Sequence, residues 1–290
     1  MPTAQVGIIG GSGLYEIDGL QDVVTHRAET PYGAPSGEIV IGTLNGVRAA
    51  FLPRHGPGHR ISPSELPARA NIWALKLLGV RQIISISAVG SLRAELAPRH
   101  VVIPDQLIDR TKGVRPVSFF GDGVVAHVAF AEPYCPALRQ AVVEAARGVL
   151  GEGVHDGGTL VVMEGPQFST RAESLLYRQW GADLIGMTAL PEAKLAREAE
   201  ICYCTLAMVT DYDCWHDDHE AVTVEMVVSN LLANVAHARA IVAAALPRIV
   251  AADDGCGCGQ ALANAIITNR DAMPPERIKS LWPLIGKYVG

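Results

Sequence analysis

An α/β fold, one unit with a central mixed sheet flanked by helices, is predicted by three observations. Short β-branched runs alternate with amphipathic helical stretches over most of the 290 residues. Several of those runs end in loops rich in glycine and small polar residues, where ligands of α/β sheets collect. An Asn45-Gly46 pair between two apolar runs adds one antiparallel hairpin to the sheet.

The elements follow in order. Val6-Gly7-Ile8-Ile9 reads as a strand that turns at Gly10-Gly11-Ser12-Gly13. Residues 38–44 and 47–52 flank Asn45-Gly46, the favoured type I′ pair, and form the hairpin. Residues 64–78 place Leu66, Ala70, Trp73, Ala74 and Leu77 at helical spacing and stop at Gly79. Ile83-Ile84-Ser85-Ile86 is a strand running into Ser87-Ala88-Val89-Gly90-Ser91, and residues 101–104 are another strand. Residues 136–150 are helical and 159–163 a strand. Thr170 and Glu173 have capping-box spacing, opening a helix that ends at Gly181. A strand at 183–187, a helix at 191–199 and a long apolar strand at 201–210 come next. One long helix covers 223 to about 250, and helices at 261–267 and 275–285 fill the tail.

Composition narrows the partners. With 49% apolar and 19% charged residues, the chain is that of an ordinary globular protein. A net charge of −6 and a pI near 5.8 argue against nucleic acid, which needs a concentrated basic face. They leave room for a small anion held by backbone N–H groups. No segment reaches the roughly 18 apolar residues of a membrane span. The first residues lack a basic region followed by an apolar stretch, so a cytoplasmic protein is expected.

Six cysteines are too few for a disulfide scaffold. Cys135, Cys202, Cys204 and Cys214 read as buried reduced thiols. Cys256-Gly257-Cys258 is close enough to cycle between thiol and disulfide, with the reduced form favoured in a cytosolic protein. His216-Asp217-Asp218-His219 matches no common ligand spacing, so no metal site is expected.

Six loops carry groups suited to chemistry. Gly10-Gly11-Ser12-Gly13-Leu14 could turn N–H groups and a hydroxyl toward an anion, or be a plain turn. It is not a dinucleotide fingerprint, because Glu16 stands at the third glycine position. It is not a Walker loop, because no Gly-Lys-Ser/Thr follows. Arg54-His55-Gly56-Pro57-Gly58-His59-Arg60 is a compact cationic loop with the planar donor that phosphate oxygens favour. Ser87 to Ser91 leaves space against the backbone, or is a simple strand end. Glu164-Gly165-Pro166-Gln167-Phe168-Ser169 precedes a helix start, with Phe168 able to stack on a heterocycle or to fill a core. Met187-Thr188 ends a strand. Asp211 and Asp213 follow a strongly apolar strand, where a carboxylate is costly unless partnered.

Taken in order, these loops resemble the trimeric purine-nucleoside phosphorylase family, closest to its methylthioadenosine phosphorylase branch. The stretches that carry the resemblance are Gly7 to Leu14, Arg54-His55-Gly56, Ala70 to Lys76, Asp105 to Thr111, Glu164 to Ser169 and Thr210 to Trp215. The resemblance runs from Val6 to about Val250. It implies a nucleoside phosphorylase domain at 1–250 and a helical tail at 251–290 packed on the same domain. It also implies a purine-nucleoside phosphorylase-like fold, and phosphorolysis of 5'-methylthioadenosine, with 5'-deoxyadenosine as a further candidate.

Residue by residue, the resemblance implies phosphate binding by Ser12, Arg54, His55, Ser87 and Thr188. It implies that Met187 lies under the ribose and that Ala88, Phe168 and Ile185 surround the purine. Asp211 would face N7 and Asp213 the 6-amino group. Val224 and Val227 would line the 5'-alkylthio pocket. His127 would reach a neighbouring subunit's site, implying a homotrimer. No cofactor is implied, inorganic phosphate being a co-substrate. An acid at N7 would help the purine leave, which suits Asp211. Carboxylates facing an amino group would favour adenine over 6-oxopurines, although a methylthioinosine or 6-oxopurine nucleoside phosphorylase is the alternative. A nucleotide-binding module and a phosphate-independent nucleosidase are more distant rivals.

Overall fold

The computed structural model describes residues 3–11, 17–216, 224–252 and 256–290, without the side chains of 224–227 and 231–233. Ser12 lies outside the described residues, and so do the side chains of Val224 and Val227.

The centre of the molecule is strand β5 (Gln82–Ser91). It pairs in parallel with β1 (Val6–Gly10) and with β11 (Cys202–Asp211), and its end pairs antiparallel with β10 (Leu184–Gly186). Beyond β1 the sheet continues through β4 (Val47–Pro53), β3 (Ile39–Leu44) and β2 (Gln21–His26). Beyond β10 it continues through β9 (Thr159–Met163) to β7 (Gln106–Arg110). A branch from β11 adds β6 (Val101–Ile103) and β8 (Val154–Asp156). The sheet is mixed, as expected.

Local chemistry explains the elements. The run Val-Gly-Ile-Ile-Gly is buried throughout in β1, the pattern of a strand covered on both faces. Asn45 and Gly46 both take positive φ, 49° and 79°, as a type I′ turn requires. Helix α1 (Ala68–Leu77) stops before Gly79, whose φ is +85°. The expected helix from residue 64 is interrupted: Pro63–Glu65 is a separate 3-10 turn, and Pro67 stands ahead of α1. Helix α2 (Pro136–Leu150) begins on a proline, whose missing N–H costs nothing there. The capping box of α3 (Arg171–Gln179) forms as read: the Glu173 N–H donates to Thr170 Oγ1 at 3.2 Å, and the Thr170 N–H donates to the Glu173 carboxylate at 2.8 Å.

Helices α4 (Ala189–Glu198) and α5 (Val224–Ala251) follow, and α6 (Pro275–Val289) closes the chain. Residues of α1, α4 and α6 share one apolar cluster with one side of the sheet, and α2 and α5 fill the other. The tail's Leu281, Leu284 and Ile285 are buried in the first cluster. The helix expected at 261–267 is not formed; a 3-10 turn at Cys258–Gln260 and successive turns take its place.

One expectation about length is corrected. By length and composition, Val228–Ala251 could cross a membrane. Its apolar character has a local reason: Ala238, Ile241, Val242, Ala245, Leu246 and Ile249 are buried in the cluster with α2.

Candidate active site

The ends of β1, β4, β5, β10 and β11 converge. Gly10 is level with Pro53, Ile9 with Ser85, Ile185 with Gly90, and Asp211 with Gly90. Arg54, His55 and Thr188, in loops, therefore meet Ser87 and Asp211, which lie within β5 and β11, at one region of the sheet; the strand expected to end at Ile86 runs on to Ser91. Strand β5 is buried at every residue except Ala88 and Gly90, which are half-exposed. Those two positions open the wall of the site.

At one end, Ser87 Oγ and Thr188 Oγ1 are in hydrogen-bond contact, and both residues are buried. Thr188 immediately precedes Ala189, and the extended Leu190 (φ −112°, ψ 136°) separates it from the regular part of α4. Beneath them lies Arg54, 2% exposed. Its Nε and Nη2 donate to the Glu192 carboxylate at 2.6 and 3.2 Å. Its Nη1 donates to the Ile86 carbonyl at 2.8 Å, and Nη2 also donates to Ser85 Oγ at 2.6 Å. Ser85 Oγ and the Tyr203 hydroxyl donate to Glu192 as well, at 2.8 and 2.9 Å. Burial opposes the guanidinium charge, and Glu192 more than offsets that, holding Arg54 above its ordinary value. Arg54 is thus largely engaged within the protein, with Nη1 retaining a second N–H. Glu192 was not found from sequence, because nothing local marks a glutamate in the first turn of α4 as the partner of an arginine 138 residues away.

His55 sits beside this network. Its Nδ1 is 2.8 Å from the Ile61 carbonyl, and its ring stacks on His59 at 4.2 Å. Burial pushes its pKa down to about 4, with Arg54 and His59 adding to the effect. The neutral ring therefore carries its proton on Nδ1, leaving Nε2 as an acceptor.

At the other end stand Asp211 and Asp213, 6% and 7% exposed. Asp211 Oδ2 accepts from Thr210 Oγ1 at 2.7 Å, and Oδ1 accepts from the Asp213 N–H at 2.9 Å. Burial raises both carboxyls above the usual range, and the charge of Asp213 adds to the shift of Asp211. Asp213 Oδ2 is buried and makes no hydrogen bond of normal geometry among the described residues, although the Ser174 and Ser169 hydroxyls are near enough to lower its carboxyl against the effect of burial; Asp213 holds a φ of +48°. A buried carboxylate oxygen left in this way is suited to a donor brought by a ligand. Gly90 makes the room: a Cβ there would lie 3.0 Å from Asp211 Oδ1 and 3.0 Å from Ile185 Cγ2. Along β5, Ser87 and Gly90 are three residues apart, roughly 10 Å.

Two loops frame the space. Arg115, 4% exposed, donates to Glu164 Oε1 at 2.8 Å and to the Met187 and Leu190 carbonyls at 2.5 and 2.7 Å. Burial resists the charge on Glu164, but Ser64, Arg115 and the Lys112 amide outweigh it and hold the carboxyl low. Arg115 thereby ties the Glu164 loop to the Met187-Thr188 turn, a role no sequence signal announced. Cys214 Sγ donates to the Ser169 carbonyl at 3.3 Å, joining the Phe168 loop to the Asp213 turn. Phe168 is 46% exposed, which excludes the core-filling reading.

The structure brings together Arg54, Ser87 and Thr188 with Ala88, Ile185, Met187, Asp211 and Asp213 around β5. His127 is not among them. It is exposed, its N–H donates to the Ala265 carbonyl at 2.8 Å, and it lines a separate cavity beside the tail.

The fold is shared with known phosphorylases. Residues 5–247 match the model of the phosphorylase superfamily. The chain is 56% identical to S-methyl-5'-thioadenosine phosphorylase of Gloeobacter violaceus, over 99% of this chain and 97% of that one. It is 57% identical to the protein of the same name from Chloroflexus aurantiacus, over 99% of each. Among solved structures, it resembles a methylthioadenosine phosphorylase from an antarctic soil metagenomic library, with a TM-score of 0.93 at 50% identity, covering 98% and 99% of the two chains. It also resembles methylthioadenosine phosphorylase from Schistosoma mansoni in complex with adenine, with a TM-score of 0.84 at 36% identity, covering 91% and 99%.

Proposed function

The chain belongs to the phosphorylase superfamily, and from that premise we propose that it cleaves 5'-methylthioadenosine with inorganic phosphate, releasing adenine and 5-methylthioribose 1-phosphate. The observation that carries the reading is the pairing of two unlike ends on β5: the Ser87–Thr188 hydroxyl contact at one, and the buried Asp211–Asp213 pair around Gly90 at the other.

Phosphate occupies the hydroxyl end, bound by Ser87, Thr188, His55 and Ser12, with Arg54 contributing its charge and its remaining Nη1 hydrogen. One phosphate oxygen attacks C1' as the C1'–N9 bond breaks. The two negative charges of phosphate stabilise the cationic sugar, and their fixed position supplies most of the orientation. Met187 lies under the ribose, and Ala88, Ile185 and Phe168 surround the purine. Asp211, kept protonated more readily than an ordinary carboxyl by its burial, gives its proton to N7 as the purine leaves, a contribution of about 10²–10⁴-fold. Asp213 accepts from the 6-amino group through its unpartnered oxygen. Val224 and Val227 receive the methylthio group, and 5'-deoxyadenosine is a further candidate substrate. Phosphate is itself the nucleophile, so the reaction balances without a cofactor.

We infer a homotrimer in which His127 reaches the neighbouring subunit's site. Exposed Val125 and Ile267, joined by a backbone hydrogen bond beside His127, support an interface there. A cytoplasmic setting suits six free cysteines.

The test is the phosphate dependence of adenine release from 5'-methylthioadenosine. Release should saturate with phosphate and yield the sugar phosphate in equal amount. Unchanged release in phosphate-free buffer overturns the reading in favour of hydrolysis.

A further inference from the structure

Away from the active site, four cysteines converge from three parts of the chain. Cys135 precedes α2, Cys202 opens β11, and Cys256 and Cys258 lie in the tail. Their sulfurs all lie within 4.8 Å of one another, and Cys202 Sγ is 3.3 Å from Cys256 Sγ. All four are free thiols; Cys135 and Cys258 are buried, and Cys202 and Cys256 are partly covered.

We propose that Cys135, Cys202, Cys256 and Cys258 form a structural site for one Zn²⁺ ion that fastens the C-terminal tail to the sheet. A tetrahedral ion with Zn–S bonds of about 2.3 Å holds its sulfurs about 3.8 Å apart. A set already gathered within 4.8 Å reaches that spacing by small side-chain rotations. The backbone holds each contributor in place. The Cys135 N–H donates to the Tyr203 carbonyl at 3.0 Å, and the Cys202 N–H to the Arg81 carbonyl at 2.9 Å. In the tail, the Gln260 and Ala261 N–H groups close turns onto the Gly257 and Cys258 carbonyls.

The chemistry of the set is also selective. Four sulfur donors with no carboxylate match a closed zinc site and not a Mg²⁺ or Ca²⁺ site. On binding, each thiol releases its proton to solvent, and no electron is transferred. The four-thiolate ion carries two net negative charges. Arg197 lines the same cavity as Cys256 and Cys258 and supplies compensating charge. That cavity has a volume of about 550 Å³. A chain entropy argument gives the site its purpose: the tail after α5, residues 252–290, would be joined to the sheet by one ion as well as by α6 packing.

The test uses the full chain. Protein made in zinc-supplemented medium and dialysed into metal-free buffer is expected to carry one zinc per chain. The reduced apo-protein is expected to bind Co²⁺ with the thiolate-to-metal charge-transfer absorption of a four-sulfur site. Cys202→Ser and Cys258→Ser should each lose that absorption and lower Tm while leaving kcat unchanged, since neither residue lies at the active site. Reduced wild-type protein that neither retains zinc nor develops the cobalt band overturns the proposal, and this reading stands even if a variant fails to fold. An undiminished cobalt band in both variants also overturns it. So does a native Cys202–Cys256 disulfide whose reduction creates no metal affinity.

Discussion

Arg54 and Glu192 form an ion pair with both side chains 3% exposed, so the guanidinium beside Ser85 and Ile86 is neutralised inside the protein before any ligand arrives. The pair joins the loop after β4 to the first turn of α4 and, through Ser85 and Tyr203, to β5 and β11. Its role is to set the positions of Ser87 and Thr188 as much as to attract an anion.

Glu192→Ala should therefore cost stability as well as activity. It leaves a buried guanidinium unpaired, a loss of about 3–5 kcal/mol. Urea denaturation should show the lowered midpoint. Replacing both partners, with Arg54→Met and Glu192→Leu, should recover most of the stability while the KM for phosphate stays raised. Recovery of phosphate affinity along with stability would mean that the pair is only structural.

Asp213 should decide the purine. Its unpartnered Oδ2 suits an amino donor, whereas Asn offers an N–H to a 6-oxo group. Asp213→Asn should lower kcat/KM for methylthioadenosine and raise it for methylthioinosine, moving the ratio by about 10²-fold or more toward the oxopurine. Asn tolerates the φ of +48°. Side-by-side turnover of the two nucleosides checks this, and a wild-type preference for methylthioinosine would defeat the assignment at the outset.

As the proposed acid at N7, Asp211 should set the alkaline limb of the pH profile. Burial raises its carboxyl above the usual range. A group raised in the fold contributes stability that is present below its unfolded value and is lost as pH rises through its folded value. Catalysis by the acid form follows the same direction, so kcat/KM should fall as pH rises through that value. Asp211→Ala should lose about 10²–10⁴-fold in kcat and also lose that limb, with the fold retained by circular dichroism. A variant with the wild-type profile rules out Asp211 as the acid.

His55 behaves in the opposite sense. Its folded pKa of about 4 lies below the unfolded value, so between about 6.5 and 4 the unfolded chain binds the proton and the folded one does not. The stability it contributes is present above the unfolded value and is lost as pH falls through about 4. Imidazole ¹⁵N shifts at neutral pH should report a neutral ring protonated at Nδ1, and added phosphate should perturb Nε2. A positively charged ring at pH 7 without phosphate would contradict the burial argument.

What was legible from sequence was local. The Asn45-Gly46 hairpin, the Thr170–Glu173 box and the glycine stop after α1 each depend on residues a few positions apart, and each forms. Strand direction brings Asp211 beside the end of β5, because β11 and β5 are parallel, but Thr188 reaches Ser87 only through the antiparallel register of β10, which no local signal gives. Partners distant in the chain could not be seen. Arg115 reaches Glu164 across 49 residues, and the four cysteines meet only after α5 has returned the tail to the sheet. Strand β2 was missed because it is an exposed edge with no alternation of buried and open positions. Residues 261–267 keep an apolar periodicity but pack as turns, where Leu262 and Ala265 are buried without a helix.

Gly90 offers the sharpest separation of the two halves of the site. Its φ is not in the left-handed region, so Gly90→Ala adds a methyl group without backbone strain. That methyl would lie 3.0 Å from both Asp211 Oδ1 and Ile185 Cγ2, and 3.4 Å from Asp213 Cβ. It would therefore narrow the purine end while Ser87 and Thr188, about 10 Å along the strand, keep their contact. The KM for methylthioadenosine should rise by about 10-fold or more, the cost of about 1–3 kcal/mol that overpacking carries. The KM for phosphate should stay near its wild-type value, and Tm should fall by no more than a few degrees. Equal losses for both substrates would show that the two ends are not independent, and the division of labour along β5 would have to be redrawn.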